Sequence, residues 1–157
     1  MKITLLAIGK TDSKNLQNLM DDYTKRLSHY VNFILEVIPD IKNAKNLSEA
    51  QQKDAEGEEI LKRVQPSDAL VLLDEKGKHH SSVAFSNYLQ KHMNSGLKNL
   101  VFVIGGPYGF SEAVYAKAQG KLSLSTMTFS HQMVRLFFIE QLYRGFTILR
   151  NEPYHHR

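Results

Sequence analysis

The sequence of 157 residues contains no cysteine, which excludes disulfides, thiolate zinc sites and cysteine nucleophiles together. It also lacks any apolar run near the roughly 20 residues that cross a bilayer. Residues 1–8 have the pattern of a strand, with one lysine and no small-residue cleavage site, so we expect no signal peptide. These absences are compatible with a cytoplasmic protein that has no membrane partner. The length predicts one domain over residues 1–157.

The excess of basic residues is small. Twenty Lys and Arg residues against sixteen Asp and Glu residues give a formal charge of +4. This surplus is compatible with a polyanionic partner such as RNA, and equally with a solubilising surface that binds no nucleic acid. Charge alone therefore leaves the class of partner open.

Strand and helix patterns alternate along the whole chain. Five apolar runs have the length and composition of strands: residues 3–8, 33–38, 69–73, 100–104 and 121–124. Helices are predicted over 16–30, from a capping box at Ser48 to about Val64, from Ser81 to about Gly96, after Ser111, and over 131–150. The order βαβαβαβαβα predicts an α/β fold, a three-layer sandwich with a mostly parallel sheet.

The last predicted helix is apolar around almost its whole circumference. Its apolar residues are Met133, Leu136, Phe137, Phe138, Ile139, Leu142, Tyr143, Phe146 and Ile148. A helix of this kind is buried on more than one side. In a domain this small, the second side is covered either by the domain's own core or by another subunit, and we predict a homodimer.

A glycine turn, Gly105-Gly106-Pro107-Tyr108-Gly109, directly follows the predicted strand 100–104. Ligands in open α/β folds bind at the carboxyl ends of strands, and glycines there let a ligand approach the backbone. The spacing is neither that of a dinucleotide fold nor that of a P-loop. The turn therefore predicts one wall of a ligand pocket, with a tight turn that binds nothing as the alternative.

A second segment, residues 124–129, joins the last predicted strand to the long helix. It offers backbone donors and acceptors together with apolar side chains at Leu124, Met127 and Phe129. These groups suit an adenine ring and a thioether better than a phosphate. The alternative is an ordinary start of a helix, capped by Ser130. A third strand end, at Leu73, lies at the same edge if the sheet is parallel.

The C-terminal tail, residues 150–157, combines aromatic, imidazole and guanidinium groups at Tyr154, His155, His156 and Arg157. Chain ends usually fray, so a disordered tail is the default expectation. Yet these side chains stack on unpaired bases and bind phosphates, and a histidine can act as a base near neutral pH.

Two other pairs of polar residues carry weaker signals. The pair His79-His80 is predicted in a loop and lacks the i, i+4 spacing of a helical metal site, so we expect no metal. The pair Asp74-Glu75 is predicted to be a solvated strand end rather than a catalytic pair of carboxylates.

The glycine turn, the run Leu-Ser-Thr-Met-Thr-Phe-Ser-His from residue 124, and the ending Asn-Glu-Pro-Tyr-His-His-Arg together resemble the RlmH family over essentially the whole chain. This resemblance implies a SPOUT-class methyltransferase that modifies N3 of a pseudouridine in 23S ribosomal RNA. It also implies a C-terminal trefoil knot, and a homodimer in which the tail of one subunit completes the site of the other. The cofactor implied is S-adenosylmethionine, held by Leu73, Gly105, Gly106, Leu124, Ser125, Thr126, Met127, Thr128 and Phe129.

A reaction at this nitrogen requires removal of its proton, because a neutral imide nitrogen is a poor nucleophile. We predict His155 or His156 as the base, with Arg157 or Arg135 stabilising the developing oxygen charge and Tyr154 stacking on the base. Because the basic surplus is modest, the predicted substrate is an assembled ribosome rather than free RNA. The alternatives are a non-catalytic module that binds RNA or a nucleotide, and a nucleotide-dependent transferase or phosphatase.

Overall fold

The computed structural model describes residues 1–156. Its strands are β1 (Lys2–Ile8), β2 (Asn32–Ile38), β3 (Ala69–His79), β4 (Asn99–Ile104) and β5 (Gly120–Ser123). Its α-helices are α1 (Lys14–Leu27), α2 (Glu49–Lys62), α3 (Ser82–Asn94), α4 (Glu112–Lys117) and α5 (Met133–Leu149), with a short 3₁₀ helix at Ala44–Asn46. The predicted alternation of strands and helices is confirmed.

The five strands form one parallel sheet in the order β2-β1-β4-β3-β5. The central strands β1, β4 and the first half of β3 are buried almost completely, as expected for a parallel sheet that helices cover on both faces. All five carboxyl ends lie at one edge of the sheet. The end of β4 lies between the ends of β1 and β3, so the glycine turn emerges in the middle of this edge.

The helices form one layer on each face of the sheet, which confirms the three-layer prediction. Helices α1, α3 and α5 pack on one face around Phe102 and Phe138. Helices α2 and α4 pack on the other face, where Ile60 and Val114 contact the opposite side of β3 and β4.

Serine side chains cap four of the helices at their amino ends. Ser13, Ser48, Ser81 and Ser111 each accept a hydrogen bond from a backbone N–H in the first turn. The predicted capping box is confirmed, because Gln51 returns the contact by accepting from the backbone N–H of Ser48. Ser111 fixes the beginning of α4 directly after the glycine turn.

Strand β3 is longer than the predicted run 69–73 and contains a bulge between Leu73 and Lys78. Beyond the bulge the chain pairs with β5 again, and His79 lies opposite Ser123. A Cβ at Gly77 would lie 2.6 Å from the backbone nitrogen of Leu122, so glycine allows this close approach. The prediction that His79 lies in a loop is therefore wrong. The polar residues at the bulge interrupt the apolar run, so the sequence does not show that the strand continues.

Within residues 1–156, no helix has the length and apolar character that a membrane span requires.

Candidate active site at the carboxyl edge of the sheet

A cavity of about 610 Å³ opens where β3, β4 and β5 end. The strand ends form its floor, the glycine turn forms one wall, and the segment that joins β5 to α5 forms the opposite wall. His131 and Val134, at the beginning of α5, close the third side. The three segments that the sequence pointed to thus face one space.

The structure brings together eight of the nine predicted cofactor residues in the wall of this cavity. They are Leu73, Gly105, Gly106, Leu124, Ser125, Met127, Thr128 and Phe129. Thr126 is exposed and is not part of the wall.

The glycine turn is fixed by its own backbone and by the protein behind it. Gly109 N–H donates to the carbonyl oxygen of Gly106 at 3.2 Å, and Gly109 has a φ of 82°, in the left-handed region that favours glycine. A Cβ at Gly105 would lie 3.0 Å from the ring of Phe110. Side chains at these positions would therefore displace the turn.

The opposite wall is organised by two serines. Ser125 Oγ accepts from the backbone N–H of Met127 at 2.9 Å, and Ser130 Oγ accepts from the backbone N–H of Met133 at 3.0 Å. Ser130 thus closes the turn that leads into α5, whose N-cap is Gln132 without a side-chain hydrogen bond, so the reading of Ser130 as the cap is wrong. The same segment also lines the cavity. The ring of Phe129 packs against that of Phe137, with centroids 5.2 Å apart.

Asp74 lies in the cavity wall beside the bulge of β3. Its Oδ2 accepts a hydrogen bond from the hydroxyl of Tyr115 at 2.5 Å. Burial, the bond to Asp74 and the negative charges of Asp74 and Glu75 raise the pKa of Tyr115 to about 12, so the phenol is neutral at physiological pH. Asp74 is half-buried and Glu75 is exposed, so the pair remains accessible to solvent, and α4 adds the phenol of Tyr115 as a partner for Asp74.

The described part of the C-terminal tail, up to residue 156, turns back along α5. Asn151 has a φ of 55°, and the backbone N–H of Glu152 donates to Thr147, which is the left-handed end of a helix that reverses the chain. Glu152 then accepts from the hydroxyl of Tyr30 at 2.5 Å. The default expectation of a frayed tail is therefore wrong, since partners more than 120 positions away along the chain hold it.

Arg144 is the centre of a polar cluster that holds the last residues of the tail. Its Nε and Nη2 donate to Glu140 at 3.1 and 2.6 Å, and its Nη1 lies 3.1 Å from Nδ1 of His155. The guanidinium lies 4.8 Å from the ring centroid of Tyr154, whose hydroxyl donates to Glu140 at 2.9 Å. The hydroxyl of Tyr23 lies 3.2 Å from that of Tyr154.

This tail cluster (Tyr23, Glu140, Arg144, Tyr154, His155) lies away from the cavity of the same chain. Val134 lines the cavity and Arg144 holds the tail, ten positions further along α5. At about 1.5 Å per residue, the two positions are roughly 15 Å apart along the helix axis. The structure thus separates the predicted catalytic residues of the tail from the predicted cofactor residues.

A family profile described as "Predicted SPOUT methyltransferase" matches residues 1–155. The chain belongs to the SPOUT methyltransferase family. Three relatives carry the name Ribosomal RNA large subunit methyltransferase H. They come from Flavobacterium johnsoniae, Christiangramia forsetii and Bacteroides thetaiotaomicron, at 74%, 66% and 54% identity. The alignments cover 100%, 100% and 99% of both chains.

A solved structure, the SpoU methyltransferase AviRb from Streptomyces viridochromogenes in complex with AdoMet, matches this SPOUT chain with a TM-score of 0.44 and 10% identity. The match covers 96% of this chain and 61% of that chain, so this chain spans less than two thirds of its length.

Arg135, a predicted catalytic residue of this SPOUT chain, is fully buried at the beginning of α5. Its guanidinium donates to the carbonyl oxygens of Ile8 and His131 at 2.8 and 3.1 Å and to the hydroxyl of Thr11 at 3.3 Å. Burial lowers the pKa of Arg135, and the carboxylates of Asp12 and Asp40 oppose this effect. The side chain ties the end of β1 to α5 and does not face the cavity.

Two further predictions concern a metal ion and the last residue of the chain. Residues 1–156 bring together no cluster of three or more His, Cys, Asp or Glu side chains that could hold a metal ion. Arg157, predicted to stabilise oxygen charge, lies outside the described residues of this SPOUT chain.

Sequence reasoning missed two residues at this edge of the sheet. Tyr115 lies on a short helix whose sequence shows no ligand pattern, yet its hydroxyl donates to Asp74. Glu56 is part of no site motif in the sequence, yet it is buried behind the glycine turn. A glutamate at a core position of the 3.6-residue period was the signal that could have identified it.

Proposed function

We propose that this chain transfers a methyl group from S-adenosylmethionine to N3 of a pseudouridine in 23S ribosomal RNA, with the assembled ribosome as substrate. The observation that carries the proposal is a cavity between the glycine turn and an apolar wall, in a chain of the SPOUT family. The printed name of the relatives, Ribosomal RNA large subunit methyltransferase H, supports the substrate class. The trefoil knot and the single domain stay predictions.

The cavity fits the separate parts of S-adenosylmethionine. Leu124, Met127 and Phe129 offer apolar surface to an adenine ring and a thioether chain. The glycine turn offers backbone groups without side chains in front of them. Asp74 and Glu75 lie in the same wall, and their carboxylates complement a sulfonium and an ammonium group.

The donor, when bound, supplies a methyl group on a positively charged sulfur, so the protein has to align the acceptor nitrogen and remove its proton. The contacts of the tail support different roles for His155 and His156. Arg144 can only donate, so Nδ1 of His155 accepts and the neutral ring carries its proton on Nε2, a tautomer assigned from the hydrogen-bond network. His155 then donates to the oxygen that gains charge, whereas the exposed His156 is the base.

The separation of about 15 Å along α5 between the tail cluster and the cavity of the same chain supports a tail that serves the cavity of a second copy. Exposed apolar side chains beside the cavity support a homodimer that covers them: Met127, Met133 and Phe137 are 75%, 41% and 41% exposed. Met133 and Phe137 lie on α5, the helix that the sequence predicted to be buried on two sides. In this arrangement the tail cluster of one subunit faces the donor held by the other.

Mixing two inactive variants tests this shared site. One variant, Gly106→Val, blocks the cavity, and the other, Arg144→Ala, disables the tail. After denaturation and refolding together, about half of the dimers are mixed, and each has one intact site, so about a quarter of the wild-type activity returns. If each tail served its own subunit, mixing would restore no activity.

A second depression, of about 470 Å³, adjoins the mouth of the cavity and shares Asp74, Lys76 and Tyr115 with it. Lys121 lies across it, with its ammonium 5.5 Å from the ring centroid of Tyr115. Two ammonium groups and an exposed ring are suited to a phosphate and a stacked base of the RNA strand beside the target. We assign this depression to the RNA.

Replacing both Lys76 and Lys121 with Ala is expected to raise KM for the ribosome about tenfold and to reduce the salt dependence of binding by about two counterions. The affinity for S-adenosylmethionine should remain within about twofold of the wild type. Lys117→Ala, on α4 but outside the depression, is the matched control. If the double variant and Lys117→Ala changed KM and the salt dependence equally, the assignment of this depression to RNA binding would be wrong.

Calorimetry with S-adenosylmethionine is the simplest experiment that distinguishes the proposed function from the alternatives. A methyltransferase binds the cofactor with a stoichiometry of one per cavity or one per dimer. A non-catalytic RNA-binding module or a nucleotide-dependent phosphatase does not. Absence of binding at millimolar cofactor would overturn the proposed function.

A further inference from the structure

Glu56, on the inner face of α2, is buried without a compensating charge. It is 3% exposed, and its Oε2 accepts a hydrogen bond from Nε2 of Gln52 at 3.3 Å. Its Oε1 has no hydrogen-bond partner among residues 1–156, and the ion pairs in that range do not include it. Burial raises the pKa of Glu56, against the opposing effect of the bond from Gln52.

The carboxylate of Glu56 lies directly against the glycine turn. A Cβ built on Gly106 would meet Oε1 and would lie 2.5 Å from Oε2. The carboxylate therefore occupies the space that a side chain at position 106 would take. Gly106 in turn forms part of the cavity wall, so Glu56 supports this wall from behind.

The next residue of α2 makes a similar approach to the far end of the turn. A Cβ at Gly57 would meet Oγ of Ser111, the cap of α4, and would lie 3.2 Å from a methyl group of Val114. Consecutive residues of α2 thus contact both the second residue of the turn and the beginning of the helix that follows it. The turn is held at two points by one rigid element.

If packing were its only role, a carboxylate at this position would lower the stability of the folded state without any benefit. The buried cluster on this face of the sheet, which includes Ile60, Phe110 and Val114, is apolar. A buried oxygen without a hydrogen bond destabilises the folded state, and an apolar side chain of similar volume would avoid this loss. Such orphan groups in native proteins concentrate where function requires them.

We propose that Glu56 is a positioning residue of the cofactor cavity. Its planar carboxylate, fixed by Gln52, holds Gly106 and so keeps the glycine turn in the position that binds S-adenosylmethionine. The chain retains the orphan oxygen for this purpose although it lowers stability. This inference rests on the proposed function, because it concerns the same cavity.

The test compares Glu56→Met, Glu56→Gln and the matched control Glu58→Met, an exposed glutamate on the same helix. For each variant the thermal midpoint and the Kd for S-adenosylmethionine are measured. Glu56→Met should raise the midpoint by roughly 2–6 °C, because it removes a buried orphan oxygen. It should weaken cofactor binding about tenfold, because a flexible thioether no longer fixes the turn.

Glu56→Gln keeps the planar shape and should retain Kd within about threefold of the wild type, and Glu58→Met should change neither quantity. A Glu56→Met protein that binds the cofactor like the wild type would overturn the positioning role. So would a parallel loss of midpoint and affinity in both Glu56 variants, which a purely structural role predicts. If the unsubstituted protein does not bind S-adenosylmethionine, the proposed function fails instead, and the wild-type titration distinguishes the two failures.

Discussion

Replacing Arg144 with Ala is expected to lower kcat for methyl transfer by about 10²–10³-fold while the Kd for S-adenosylmethionine changes by less than about twofold. The guanidinium donates twice to Glu140, lies next to Nδ1 of His155 and covers the ring of Tyr154. Without it Glu140 loses its cation, and the tail loses the contact that sets the tautomer of His155. The cavity, about 15 Å away along α5, keeps its walls.

Arg63→Ala is the matched control for this variant. Arg144 pairs with one glutamate, Glu140, and Arg63 with two, Glu36 and Glu59. The side chain of Arg63 is 26% exposed, against 25% for Arg144. It lies at the end of α2, away from the tail, and its loss should leave kcat unchanged. The comparison uses the single-turnover rates of both variants and of the wild type at saturating cofactor. A normal rate for Arg144→Ala, or a parallel loss of cofactor affinity, would contradict the assignment of the tail to catalysis.

Replacing Gly106 with Val is expected to weaken S-adenosylmethionine binding by about 100-fold or more, equivalent to about 3 kcal/mol. The Cβ would fall on the carboxylate of Glu56, so the turn has to move, and the cavity lies on its free side. Overpacking of this kind lowers the free energy of unfolding by about 1–3 kcal/mol. We expect the loss of affinity to be the larger of the two, because the displaced turn occupies the space of the ligand.

Two further variants make the result specific. Gly120→Val places a β-branched side chain where a Cβ meets nothing within 4 Å, so it controls for glycine replacement as such. The pair Gly106→Ala and Glu56→Ala forms a double-mutant cycle, in which removal of the carboxylate should restore part of the affinity that Gly106→Ala loses. Equal losses of affinity and stability in Gly106→Val, with no coupling in the cycle, would assign the turn a purely structural role.

The order of elements could be predicted from the sequence because each element carries its own local pattern. Buried parallel strands are continuous apolar runs, and serine caps mark where helices begin, so most predicted bounds differ from the structure by one or two positions. Strand β3 is the exception. Its second half depends on pairing with β5 beyond a bulge, and the polar residues 74–76 with Gly77 give no sign of this.

The grouping of the cavity residues could also be predicted, because carboxyl ends of parallel strands meet at one edge. The roles assigned to individual residues stay predictions. The local sequence pattern could not predict which partners the buried and half-buried polar side chains have. Arg135 suggested a catalytic cation, yet its partners are backbone oxygens of distant segments. The tail suggested disorder, yet Tyr23 and Tyr30 hold it from the far end of the chain. Contacts of this kind depend on the complete fold.

The most direct test of the central claim is to map the methyl group on the RNA. Ribosomes that lack the modification are incubated with the protein and isotopically labelled S-adenosylmethionine, and the 23S RNA is digested and analysed by mass spectrometry. We predict one labelled methyl per large subunit, on N3 of a pseudouridine, with much less label on protein-free RNA. Label on a different atom or nucleotide, or no transfer from a cofactor that binds, would contradict it.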